Sequence, residues 1–195
     1  ALYNNFSFIN EDVLKVDLNN LIKNENTQNY TVKIVANLPY YITTPIIMKL
    51  LEEKLNIDSI TVMVQKEVAD RLTEIPGGKN TGAITYCVYY YAEPQEVLTV
   101  PNTSFIPEPK VNSEVIKLNI RKEPAVKLRN EEIFFKVVKA SFMQRRKTLL
   151  NGLSNAGICS KEKIKEILQG LKLSENVRGE SLSIEKFAEI ANKLC

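Results

Sequence analysis

The sequence predicts an α/β fold over residues 1–122 and a small all-α module over 123–195, on three observations. Short apolar runs at 32–36, 59–64 and 112–120 alternate with segments of 3.6-residue periodicity, the pattern of a sheet with crossover helices. From Glu123 onward only helical periodicity remains, over 130–150, 161–171 and 183–194. Between the two textures lies Lys122-Glu123-Pro124-Ala125, a reasonable linker.

Residues 6–9 (Phe-Ser-Phe-Ile) alternate like a short strand, and Leu14, Leu18, Leu21 and Ile22 suit a loop or short helix. Residues 32–36 form a buried type of strand. The next segment, 44–55, places Ile46, Ile47, Leu50, Leu51 and Leu55 at helical spacing, with Pro45 suited to a first turn. A strand over 59–64 leads into a helix over 66–74, with Val68 and Leu72 inward and a Glu67/Arg71 i,i+4 pair. The glycine-rich stretch 77–82 lacks the residue order of a phosphate-binding loop and reads as a mobile connection. Residues 83–91 are β-branched and aromatic, so propensity favours a strand, although a helix fits their length equally. Two further strands, 96–100 and 112–120, are separated by Pro101, Pro107 and Pro109. Asn130 and Ser183 are helix N-caps, and Gly152 and Gly157 are stop signals.

Composition narrows the chemistry. The chain of 195 residues, 44% of them hydrophobic, can hold one medium domain, or one plus a small appendage. No run approaches the roughly 18 apolar residues of a membrane span, and no signal-like start is present. Cys87, Cys159 and Cys195 are unpaired in spacing, which predicts a reduced, cytoplasmic setting and no metal site. The absence of histidine removes Ser-His-Asp and Cys-His catalysis and the commonest ligand of catalytic zinc. The net charge of +3 is unevenly spread: residues 110–150 carry 11 basic and 4 acidic side chains. Such an excess is either a solvated helix face or a polyanion-facing surface, and its density favours nucleic acid.

One tetrapeptide carries the chemistry. Asn37-Leu38-Pro39-Tyr40 follows directly on a predicted strand, at the end where open α/β sheets hold ligands. Asn37 Oδ1 and the Leu38 carbonyl can accept the two N–H bonds of an exocyclic amine, and Tyr40 can stack on its base. This reads as an amino-methyltransferase acceptor site. Transfer of an already activated methyl group makes small demands on acid/base residues, so the missing histidine is compatible with it.

Five ordered blocks then resemble the KsgA-type 16S rRNA adenine dimethyltransferases (the RsmA family): Asn37-Leu38-Pro39-Tyr40-Tyr41-Ile42-Thr43-Thr44-Pro45, Val64-Gln65-Lys66-Glu67-Val68-Ala69-Asp70-Arg71-Leu72, Ser104-Phe105-Ile106-Pro107-Glu108-Pro109-Lys110-Val111-Asn112-Ser113, Phe142-Met143-Gln144-Arg145-Arg146-Lys147-Thr148-Leu149 and Arg178-Gly179-Glu180-Ser181-Leu182-Ser183. The resemblance implies a Rossmann-like methyltransferase sheet, S-adenosylmethionine as donor, and 16S rRNA in the small ribosomal subunit as partner. It places Asn37 between cofactor and target amine and gives Leu38 a carbonyl role. Tyr40 and Phe105 would sandwich a flipped adenine. Asp12 would accept from the adenine amine of the cofactor; on its own residues it reads equally as a turn cap. Lys110, Lys136, Lys139, Arg145, Arg146 and Lys147 would face rRNA phosphates. Glu67, Arg71 and Glu180 are read as structural ion pairs.

The sequence departs from that family at its start. The glycine-rich cofactor loop and the acidic ribose ligand, with the first two strands, are absent from it. The expectation is therefore a truncated chain that binds S-adenosylmethionine poorly, is inactive alone, and self-associates through an exposed sheet edge. A non-catalytic RNA-binding or ribosome-assembly module is the alternative. A DNA adenine methylase is disfavoured by Leu38, where DNA enzymes usually carry proline.

Overall fold

The computed structural model describes residues 5–26, 28, 30–144 and 146–195. Helix α1 (Leu18–Glu25) is capped by Asp17, whose carboxylate accepts from Asn20 N at 2.9 Å. Strand β1 (Lys33–Asn37) feeds a one-turn 3-10 helix (Tyr40–Ile42) and then α2 (Thr43–Glu52). Strand β2 (Ser59–Gln65) runs straight into α3 (Lys66–Thr73), where Arg71 pairs with Glu67. Helix α4 (Ala83–Tyr91) passes without a loop into β3 (Ala92–Val100), and β4 (Ser113–Ile120) closes the sheet.

The strand order is β1-β2-β4-β3. β1 and β2 are parallel, joined across α2, while β4 lies antiparallel between β2 and β3. Side chains at Ile60, Val62, Val64, Ile116 and Leu118 form the buried face, together with Ile46, Ile47, Leu50 and Leu51 of α2. β3 is an edge strand, and Pro94 with a bulge between Glu96 and Leu98 makes that edge a poor template for further pairing. β1 is the other edge, and Val35 at its centre is 79% exposed.

Four expectations are corrected. Residues 6–9 form no strand: Phe6 and Phe8 are exposed, and no strand among the described residues pairs with the segment. An isolated strand leaves its backbone groups and apolar face uncovered, so alternation alone cannot hold it. Residues 83–91 are helical. Tyr86 and Tyr90 of α4 enter the helical core while Cys87 and Val88 enter the sheet core, so both flanks of the helix are apolar and tertiary burial overrides strand propensity. The predicted helix over 130–150 is two helices, α5 (Glu131–Met143) and α6 (Leu149–Asn155), with Thr148 capping the second through Asn151 N at 3.3 Å. Gly152 lies inside α6 and is no stop signal; a Cβ there would meet the Ala140 carbonyl oxygen at 3.2 Å.

Helices α7 (Lys161–Gly170) and α8 (Ile184–Leu194) complete the second core, with Asn130, Ser160 and Ser183 as side-chain caps. The buried Tyr86 hydroxyl donates to the Leu182 carbonyl at 2.6 Å, tying α4 to the Arg-Gly-Glu segment. A Cβ on Gly179 would sit 2.8 Å from Ser141 Cβ, so the glycine of that segment permits close packing on α5. At the seam between the two cores, Glu131 accepts from Lys54 Nζ at 2.8 Å and from the Tyr91 hydroxyl. Burial pushes the Glu131 carboxyl up, but these donors outweigh it and hold it below the usual carboxylate range.

Candidate active site

Residues 37–40 leave β1 at its carboxyl end, beside the carboxyl end of β2. Leu38 N donates to the Met63 carbonyl at 3.4 Å, and its side chain is 7% exposed, which plugs the loop into the sheet core. The Pro39 carbonyl accepts from Ile42 N at 3.1 Å and from the buried Thr43 hydroxyl at 3.1 Å. The Tyr40 hydroxyl lies 2.7 Å from Ser113 Oγ, across 73 residues of sequence. Asn37, by contrast, is exposed, and its side chain and the Leu38 carbonyl oxygen have no hydrogen-bond partner among the described residues. The loop is thus tied down at Leu38 N, the Pro39 carbonyl and the Tyr40 hydroxyl, while the two acceptors that sequence reading assigned to an amine are left open.

The second wall is the 101–112 loop. Pro101 leads a short 3-10 turn (Asn102–Ser104), and Phe105 N donates to the Asn102 carbonyl at 3.2 Å. Asn102 N donates to Asn112 Oδ1 at 3.0 Å, closing the loop at its neck. Asn102 Nδ2 donates to Glu108 Oε1 at 2.7 Å and to the Pro109 carbonyl at 3.2 Å. Phe105 is half-buried, and Ile106 next to it is fully exposed.

Beneath both walls runs an ion-pair network that sequence reading missed. Lys66 Nζ lies 2.8 Å from Asp70 Oδ1 and 2.8 Å from Glu114 Oε2, whose side chain is only 4% exposed. The hydrogen bonds it donates to these two carboxylates hold the Lys66 ammonium above its usual range. Lys66 N also donates to the Asn112 carbonyl at 3.0 Å, so α3 and the start of β4 are joined by both backbone and charge. A Lys-Glu-x-x-Asp spacing marks the i,i+4 half of this network; the Glu114 half is long-range and leaves no local signal.

The remaining predicted residues fall elsewhere. Asp12 sits in an exposed turn where Oδ1 accepts from Leu14 N at 3.0 Å, the turn-cap alternative, while Oδ2 has no hydrogen-bond partner among the described residues. Lys110 is exposed on the Phe105 loop. Lys136 and Lys139 are exposed on α5, the former 2.7 Å from Glu132, and Arg146 and Lys147 are exposed in the turn before α6. The Arg145 expectation lies outside the described residues. Glu180 makes an ion contact of 3.8 Å with Arg178. The glycine-rich 77–82 loop offers no phosphate cradle, because the amides of Gly78 and Asn80 are taken by the Ile75 carbonyl and Glu74. Among the described residues no group of three or more His, Cys, Asp or Glu could hold a metal ion, and no helix is long and apolar enough to cross a membrane. A half-open cavity of about 230 Å³ lies at the opposite end of the sheet, lined by Leu51, Lys54, Tyr91, Ile120 and Glu131. The acceptor end itself is an open shelf.

A parallel strand pair flanked by one inserted antiparallel strand, with an Asn-x-Pro-Tyr loop at the carboxyl end of a parallel strand, defines a Rossmann-like α/β fold of the methyltransferase class. Solved structures share it: a dimethyladenosine transferase from Plasmodium falciparum superposes with a TM-score of 0.69 at 26% identity, over 81% of this chain and 64% of that one. The 23S rRNA methyltransferase ErmE matches in fold, with a TM-score of 0.64 at 20% identity over 95% of this chain and 70% of that one. The family model for ribosomal RNA adenine dimethylase matches residues 1–194, and the chain belongs to that family. Ribosomal RNA small subunit methyltransferase A of Lachnoclostridium phytofermentans is 51% identical over 192 residues, covering 97% of this chain and 66% of that protein. The protein of the same name from Clostridioides difficile is 51% identical over 188 residues, covering 96% of this chain and 65% of its own length. The chain therefore spans about two thirds of the length of the curated relatives it matches.

Proposed function

We propose that the protein dimethylates the exocyclic amines of two adjacent adenosines in the 3′-terminal hairpin of 16S rRNA, with S-adenosylmethionine as donor, and that this chain carries the acceptor side. The observation that carries the reading is the pair of unpartnered acceptors, Asn37 Oδ1 and the Leu38 carbonyl, on a loop that bonds at Leu38 N, the Pro39 carbonyl and the Tyr40 hydroxyl hold in place. An aryl amine is a poor nucleophile because its lone pair is delocalised into the ring. Two acceptors off the ring plane favour a pyramidal nitrogen and orient its lone pair, so positioning and electrostatics supply most of the barrier reduction. Tyr40 and Phe105 receive the extruded base, since a paired amine is out of reach.

S-adenosylmethionine, when bound, supplies an activated methyl group that leaves a neutral thioether behind, and the proton lost from the methylated amine passes to solvent. Two residues would hold it: the Oδ2 of Asp12, without a hydrogen-bond partner among the described residues, would accept from its adenine amine, and Asn37 would face both it and the target amine. Lys110, Lys136, Lys139, Arg146 and Lys147, all exposed, hold rRNA phosphates, and their contribution weakens with salt. The open edge of β1 supports pairing with a second copy, which light scattering tests; a stable monomer contradicts it.

The experiment is transfer of labelled methyl groups to undermethylated small subunits. Asn37→Ala is expected to lower the rate by at least about a hundredfold while leaving the melting temperature unchanged, because Asn37 is exposed and unpaired. Full transfer by that variant contradicts the assignment. Binding of small-subunit RNA with no methyl transfer by the wild type favours the alternative of a non-catalytic assembly module.

A further inference from the structure

We propose that the dipeptide Asn112-Ser113 is a positioning element that sets the gap between the two aromatic walls of the acceptor shelf; this rests on the base-stacking role given above to Tyr40 and Phe105. The dipeptide makes one bond toward each wall. Ser113, fully buried, places its hydroxyl 2.7 Å from the Tyr40 hydroxyl. Asn112 Oδ1 accepts from Asn102 N at 3.0 Å, and the Asn102 carbonyl in turn accepts from Phe105 N at 3.2 Å. Two adjacent residues thus hold one ring directly and the other through a single intermediate residue.

The dipeptide is itself fixed from below. The Asn112 carbonyl accepts from Lys66 N at 3.0 Å, Ser113 stands in register with Gln65 of β2, and the next residue, Glu114, is gripped by Lys66 Nζ at 2.8 Å. Both walls are therefore referenced to the same point at the β2–α3 junction. Stacking on a planar base demands a defined ring separation and tilt, and a ring released from its tether samples other orientations before the base arrives. Ser113 also explains why position 40 carries tyrosine: phenylalanine would stack as well but could not be aimed by a buried hydroxyl.

The test uses this chain and a short single-stranded RNA carrying one 2-aminopurine, whose fluorescence is quenched when the base stacks. Tyr40→Ala and Phe105→Ala are expected to abolish the quenching, which checks the stacking reading separately. Ser113→Ala and Tyr40→Phe are each expected to weaken base docking about fivefold, the effect of one lost hydrogen bond, and the double variant should be no weaker than either single one. Asn112→Ala should weaken docking similarly, and Asn112→Asp, which keeps the acceptor, should restore it. If Ser113→Ala does not fold, Tyr40→Phe removes the same bond from the more exposed side. Multiplying effects of Ser113→Ala and Tyr40→Phe would overturn the tether, as would wild-type docking by Asn112→Ala. Loss of quenching in the two alanine ring variants alone would leave the stacking reading standing and sink the proposal. Unchanged quenching in those two variants would sink both.

Discussion

The acceptor shelf and the amino-terminal segment carry the two sides of one proposed reaction, and they are held in opposite ways. Around Tyr40 and Phe105, both loops are pinned by defined hydrogen bonds to the sheet and across the loop neck, and Leu38 is locked into the sheet core. Around Asp12, residues 5–12 are all exposed, Phe8 is 82% exposed, and the backbone hydrogen bonds are those of the local turn at 12–16, with one side-chain bond from Ser7 to Glu25. The difference teaches that acceptor geometry is produced by long-range bonds within this chain, between positions 40 and 113 or 66 and 114. The donor-side contact is a single carboxylate on a surface turn.

The largest expected effect tests the anchored side. Leu38→Ala removes a buried side chain that holds the loop, and should destabilise the fold by about 2–4 kcal/mol in denaturant unfolding. Next, Lys66→Met strands the buried Glu114 carboxylate, with an expected loss of about 1–3 kcal/mol in the same measurement. A smaller effect concerns the seam that joins the sheet to the helical core. The depressed Glu131 carboxyl means that the native state holds its proton less tightly than the unfolded chain does. That contribution is complete above the unfolded carboxylate range and is lost as pH falls through the lower folded value. Glu131→Gln should therefore flatten the acid limb of the stability curve and leave stability under strongly acid conditions unchanged. The smallest effect belongs to the other region: Phe8→Ser should change stability by less than about 0.5 kcal/mol, because the ring is already in water. A loss there as large as that at Leu38 would break the comparison.

Much of this was legible in the sequence wherever a signal is local. The strands at 33–37 and 59–65, the helix after Thr43 and the caps at Asn130 and Ser183 follow from periodicity and capping chemistry. The acceptor tetrapeptide was legible because its residue types and its place after a strand both point to chemistry. What could not be read locally is what burial decides. Residues 83–91 are apolar on every side because they separate two cores, so neither period is visible in them. The break between α5 and α6 falls in the polar run 144–148, which an exposed stretch of one continuous helix would also show, and the N-cap Thr148 is what marks the restart. Ser113 looks like an ordinary small residue at a strand start, and only the fold shows that its hydroxyl meets Tyr40. Residues 6–9 carry a strand pattern, but a strand exists only with a neighbour, and alternation says nothing about whether one is there.

Amide hydrogen exchange compares the two regions most directly. The account predicts slow exchange at Leu38, Ile42, Asn102 and Phe105, each of which donates to a defined acceptor, and exchange at least about a hundredfold faster at residues 6–11. Equal protection of the two segments, or fast exchange at Leu38 and Asn102, would contradict the claim that this chain builds its acceptor shelf by itself.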